Sequence, residues 1–214
     1  MIAAVAQKTS WSLDKLMFNW FDVTLVVLIM FGLWRGRKHG MSEESTNLLG
    51  WLAVLLGCSA LYEWGSQLIG HYTGLFGLLT RNILAYVGVA LLIGLVFAMA
   101  KRAFGGKLAG SDVFGRAEYY LGMAAGMVRF CCMLLVVLAL LNARAYNPDE
   151  LRAMDKYTTD TYGSDVFPTL YSVQQSVFVK SVTGPLIRQY LGWVLIKPVE
   201  MQKAGFHQKE FSVP

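Results

Sequence analysis

Four ionisable residues are candidates for polar or ion-pair chemistry within the apolar part of the chain: Asp22, Glu63, Glu118 and Arg129. Arg129 is the most constrained. It sits between "MAAGMV" and "FCCMLLVV". An arginine in the middle of a bilayer costs roughly 2.5–3.5 kcal/mol on insertion scales. Its guanidinium must therefore face the protein interior or water. At 100° per residue, Glu118 and Arg129 lie about 20° apart around one helix, with Gly122 on nearly the same side. That face is small and polar, as expected of a surface turned toward neighbouring helices. Asp22 is the first candidate counter-ion for Arg129 and Glu63 the second. The pair either locks the bundle or forms part of a polar path for a proton, ion or small solute.

Other chemistries have little support. The histidines His39, His71 and His207 are scattered, without metal-ligand spacing. There is no zinc motif, no P-loop, no GxGxxG after a strand and no GxSxG elbow. Cys58, Cys131 and Cys132 all fall in apolar runs and read as small core residues. No nucleophile–base set is visible. The reading is non-enzymatic, with no catalytic residue, no metal and no cofactor.

The elements that must position these residues are membrane helices. The 214-residue chain is 55% hydrophobic and 15% charged, against about 25% charged in soluble domains. Mean hydropathy is +0.45. The net charge of +5 does not suggest nucleic-acid binding, because the basic residues stand at the ends of apolar runs rather than on one solvated face. A helix needs about 20 mostly apolar residues to cross a bilayer. The sequence predicts four such helices, at about 18–34, 47–66, 82–100 and 119–142. Trp20, Trp34, Trp51 and Trp64 fall near the ends of the first two, where interfacial aromatics belong. Gly122 and Gly126 form a GxxxG step that permits close helix approach, and Gly32, Gly36 and Gly50 are the other candidate helix-packing glycines.

Connectors set the orientation. The first, "RGRKHG", carries Arg35, Arg37 and Lys38. The third carries Lys101, Arg102, Lys107 and Arg116, and the second only Arg81 at its end. The positive-inside rule puts the first and third in the cytoplasm and both termini outside it. Ser42 is expected to cap the second helix, with Glu43 and Glu44 at the positive end of its dipole. The glycine-rich second connector, "IGHYTGLFGLLT", is a candidate re-entrant or interfacial loop.

The chain thus divides into a membrane domain, 1–142, and an extracytoplasmic helical tail, 143–214. The tail opens with "NPDE", a helix start with Asn147 at the cap and Pro148 at the first position. Phe178, Val182, Leu186, Tyr190 and Val194 then recur about every four residues. Gly184-Pro185 is expected to divide this stretch into two amphipathic helices lying on the outer leaflet or on the bundle. The fold class is all-α: a four-transmembrane-helix bundle with an amphipathic C-terminal extension.

The run "FDVTLVVLIMFGLWRGRKHGMSEESTNLLGWLA" resembles the first half of the CvpA family, the colicin V production protein. The matching places are Asp22, Gly32, Arg35, Gly36, Glu44, Leu48, Leu49 and Gly50. "AEYYLGMAAGMVRF" is similar to the family's fourth-helix motif through Glu118, Leu121, Gly122, Gly126 and Arg129, with Glu118 where aspartate is commoner. The basic turn and the tail are longer than in the short members. The resemblance spans roughly residues 19–141. It implies a multi-pass protein of the bacterial inner membrane that supports production or export of a peptide toxin, or envelope homeostasis, as a scaffold or assembly factor. The expected partners are the lipid bilayer and a membrane or periplasmic protein or a second copy. The alternative is a small channel or transporter subunit using Asp22, Glu63 and Arg129.

Overall fold

The structure is a computed structural model; it describes residues 19–73, 76–108, 117–146 and 170–200. In chain order the elements are α1 (Trp20–Tyr72), α2 (Leu78–Leu108), α3 (Glu118–Asn142), β1 (Arg144–Ala145), α4 (Leu170–Phe178), α5 (Thr183–Tyr190) and β2 (Val199–Glu200). The architecture is mostly helical. The two short strands form one parallel bridge, Arg144 opposite Val199 and Ala145 opposite Glu200. Among the described residues, three helices are long and apolar enough to cross a membrane: α1, α2 over Leu78–Ala103, and α3.

A straight helix of the 53 residues of α1 would be about 80 Å long, far beyond a hydrocarbon core of about 30 Å. It is not straight. Gly40 has φ 73° and ψ 173°, a conformation that glycine alone adopts readily. On either side of Gly40 the approach to α3 runs in opposite directions. Gly32 lies against Gly126, Gly36 against Gly122 and Gly40 against Glu118. Beyond Gly40 the order climbs again: Glu44 meets Arg129, Leu55 clusters with Cys132 and Leu135, and Tyr62 with Leu138 and Ala143. Phe21 belongs to that last cluster too. α1 is therefore a helical hairpin of two arms, 20–39 and 41–72, folded back at one glycine.

This corrects the expected connector. "RGRKHG" is not a loop that stops a helix at Trp34; it is helical up to His39, and the second arm begins immediately after Gly40. The Ser42 N–H donates to Glu118 Oε1 at 3.4 Å. The second arm also outruns its expected end at 66, reaching Tyr72, and so takes in the start of the glycine-rich second connector. Gly74 and Leu75 lie outside the described residues. α2 starts at Leu78 rather than 82 and continues to Leu108, so Lys101 and Arg102 are helical. Arg116, the N-terminal arm 1–18 and the "NPDE" helix start lie outside the described residues.

The tail joins the core. Val177, Phe178, Leu195 and Ile196 are buried in one cluster with Phe21, Val54, Cys58, Tyr62, Tyr86 and Leu138. Polar contacts fix the seam. Asn142 Nδ2 donates to the Ile196 carbonyl at 3.0 Å, and Ser59 Oγ donates to the Trp193 carbonyl at 2.9 Å. Two tail helices are present as expected, but the break falls before α5, not at Gly184-Pro185. Pro185 sits in the first turn of α5, where its missing N–H costs no helical hydrogen bond. The expected apolar stripe is split: Phe178 and Val194 are buried, whereas Leu186 and Tyr190 are exposed.

Candidate functional site

The close approach of α1 to α3 rests on glycine. Gly32, Gly36 and Gly40 repeat every four residues and face Gly122 and Gly126. A Cβ on Gly32 would lie 3.0 Å from the Gly126 carbonyl oxygen, and one on Gly122 would lie 2.8 Å from the Gly40 carbonyl carbon. On Gly36 a Cβ would collide with the Gly122 carbonyl oxygen. Backbone touches backbone, as small residues allow in membrane helices. Gly50 differs: it faces the Phe97 ring of α2, with room for a methyl group at 3.5 Å.

This proximity lets one buried carboxylate connect the helices. Arg129 Nη1 donates to Glu44 Oε1 and Oε2, each at 2.8 Å. The side chains are 12% and 1% exposed. Asn47, one turn beyond Glu44, donates from Nδ2 to Glu44 Oε2 at 3.1 Å and accepts at Oδ1 from Lys101 Nζ at 2.9 Å. The chain Lys101–Asn47–Glu44–Arg129 thus crosses from α2 through α1 to α3. Its two cations bracket one carboxylate and one amide. A single guanidinium nitrogen makes the pair; Arg129 Nε has no hydrogen-bond partner among the described residues.

The expected partners of Arg129 are elsewhere. Asp22, 3% exposed, completes a capping box with Asn19: Asn19 N donates to Asp22 Oδ2 at 3.2 Å. The same carboxylate accepts from the start of α5, from Val182 N at 3.2 Å, Thr183 N at 3.2 Å and Thr183 Oγ1 at 2.7 Å. One acid thus holds two helix N-termini, each with backbone donors to satisfy. Glu63 pairs with Lys197 at 2.7 Å, but their side chains are 51% and 79% exposed. The hydrogen bond to Glu63, and then its charge, hold the Lys197 ammonium above the ordinary lysine range. Glu118 is at the hairpin turn beside Gly40 and Ser42. Arg37 and Lys38 project outward, and Arg35 is half-buried.

Glu44 and Asn47 are the site residues whose roles sequence reasoning missed. The sequence puts Glu44 beside the basic turn, at the exposed positive end of the second helix, and Asn47 at the start of that helix. The available signal was the Gly32, Gly36, Gly40 repeat, which continues one helical face through the supposed connector.

An apolar helical protein whose hairpin closes on a third helix through facing glycines and a buried ion pair belongs to the class of polytopic membrane bundles. The chain is a member of the colicin V production protein family, whose model matches residues 21–184. The match extends beyond the expected end near 141 and takes in α4 and the first two residues of α5. No curated protein and no solved structure matches the chain.

Proposed function

We propose that the chain is a non-enzymatic scaffold or assembly factor of the bacterial inner membrane that supports toxin production or export, or envelope homeostasis. Membership of the colicin V production family supports the general role. The observation that carries the scaffold reading is the Glu44–Arg129 pair. It neutralises the intramembrane arginine inside a helix–helix contact. Asp22 and Glu63, the acids a polar path would need, instead hold the tail and an exposed lysine.

The bilayer arrangement belongs to the same proposal. The two arms of α1 with α2 and α3 cross four times. Arg35, Arg37, Lys38, Lys101 and Arg102 gather at the cytoplasmic end. Both termini lie outside the cytoplasm. The exposed apolar face of α2, including Leu91, Leu92, Leu95, Val96 and Met99, meets lipid or a protein partner, and a second copy is one such partner.

Complementation in a strain lacking its own family member tests the role. Glu44→Gln with Arg129→Gln keeps a neutral packed contact and removes both charges. Retained toxin export in this double variant supports scaffolding. Lost export in a well-folded double variant supports a small channel or transporter subunit. Reporter fusions at Lys107 and Asp165 test the topology and should read cytoplasmic and external.

A further inference from the structure

A groove runs along α2, lined also by the second arm of α1 and by Val136 and Leu140 of α3. Its volume is about 450 Å³. Trp51, Val54, Val87, Leu91, Phe97 and Leu140 form apolar walls, and among the described residues no acidic side chain lines it. Gly94 is part of the lining, and a Cβ there would meet nothing within 4 Å. One end carries Asn47 and Lys101, with the Lys101 ammonium held by the Asn47 amide oxygen at 2.9 Å. Arg102 follows on the same exposed helix end. An apolar slot with a single cationic mouth has the polarity of one lipid molecule: hydrocarbon along the slot, an anionic headgroup at the mouth.

We propose that this groove binds one anionic phospholipid, with an acyl chain along Gly94 and its phosphate on Lys101. The inference rests on the helices spanning a bilayer, not on the scaffold reading. Charge complementarity favours an anionic lipid over a second copy of the chain. The facing surface of a second copy would have to bring an acid to Lys101, whereas anionic headgroups already lie at the depth of a helix end. The lipid would also meet the polar chain that ends on Arg129, because Asn47 contacts both Lys101 and Glu44.

The test is native mass spectrometry of the purified, delipidated full chain, titrated with phosphatidylglycerol and phosphatidylcholine of the same chain length. The wild type should retain one phosphatidylglycerol in preference to phosphatidylcholine. Lys101→Gln, at an exposed position, should reduce that preference by about fivefold, the weight of one basic residue at a membrane surface. Gly94→Phe, placed in open space, should fill the groove and remove the bound lipid while the melting temperature in detergent stays near wild type. Equal retention of both lipids by the wild type would overturn the proposal. So would lipid retention unchanged by both variants, or a dimer that Gly94→Phe disrupts without any change in lipid retention. Toxin-export complementation is scored separately, so failure of the scaffold reading would leave the lipid result standing.

Discussion

Arg129 on α3 and Glu44 on the second arm of α1 are 85 residues apart in sequence, yet Arg129 Nη1 lies 2.8 Å from both Glu44 carboxylate oxygens. The reversal at Gly40 makes this possible. Side chains on a helix lean toward its N-terminus, so Arg129 reaches back along α3 toward Gly122 and Glu118. That is the end where the hairpin turns and delivers Glu44. Burial makes the pair a strong constraint: either charge alone would be left largely desolvated.

The glycine seam predicts a sharp contrast between two similar substitutions. Gly36→Ala drives a methyl group into the Gly122 carbonyl and should cost about 1–3 kcal/mol, the usual range for overpacking. Gly50→Ala meets only the Phe97 ring at ordinary contact distance and should be neutral or slightly stabilising, since alanine favours helix. Melting temperatures of the two variants in detergent check this. Equal losses would mean that the α1–α3 approach is looser than described.

The hairpin turn depends on backbone conformation. Gly40→Ala places a Cβ at φ 73°, 3.0 Å from the Glu118 side chain. It should cost about 1–3 kcal/mol. Trimming Glu118 in the double variant Gly40→Ala, Glu118→Ala removes the contact but not the strain, so recovery should be minor. Full recovery would assign the loss to crowding alone.

Asp22→Asn keeps the shape of the side chain and removes the charge that accepts from Val182 and Thr183. Hydrogen bonds to charged groups contribute roughly 1.5–3 kcal/mol. The loss should be local: faster hydrogen exchange in α5 with α2 unchanged. Exchange unchanged in α5 would show that apolar contacts alone hold the tail.

Glu63 and Lys197 provide the surface comparison. Their pair is short but exposed, and such pairs contribute little. Glu63→Gln should leave the melting temperature unchanged within error. A clear drop would mean that the pair is shielded by something bound over it.

The sequence made part of this readable. The cost of a mid-helix arginine showed that Arg129 needed a partner, and the Gly122–Gly126 step showed where a helix could come close. The identity of the partner was not readable. Ending the first helix at Trp34 put Glu44 in water, so Asp22 and Glu63 became the nearest acids. Hydropathy marks the polar gap around Gly40, but it does not show that the gap is helical on both sides of a one-residue reversal, so that its acid can turn into the bundle. Asp22 was equally opaque: its partners at Val182 and Thr183 lie about 160 positions away, with no local pattern linking them.

The most direct test is a double-mutant cycle on Glu44 and Arg129, read as unfolding free energy of the full chain in detergent. Glu44→Gln and Arg129→Gln alone should each cost about 3–5 kcal/mol, because each leaves an uncompensated buried charge. Together they should recover most of that loss, whereas Asp22→Asn combined with Arg129→Gln should be additive to within about 0.5 kcal/mol. Additivity for Glu44 and Arg129, with coupling to Asp22 instead, would contradict the account.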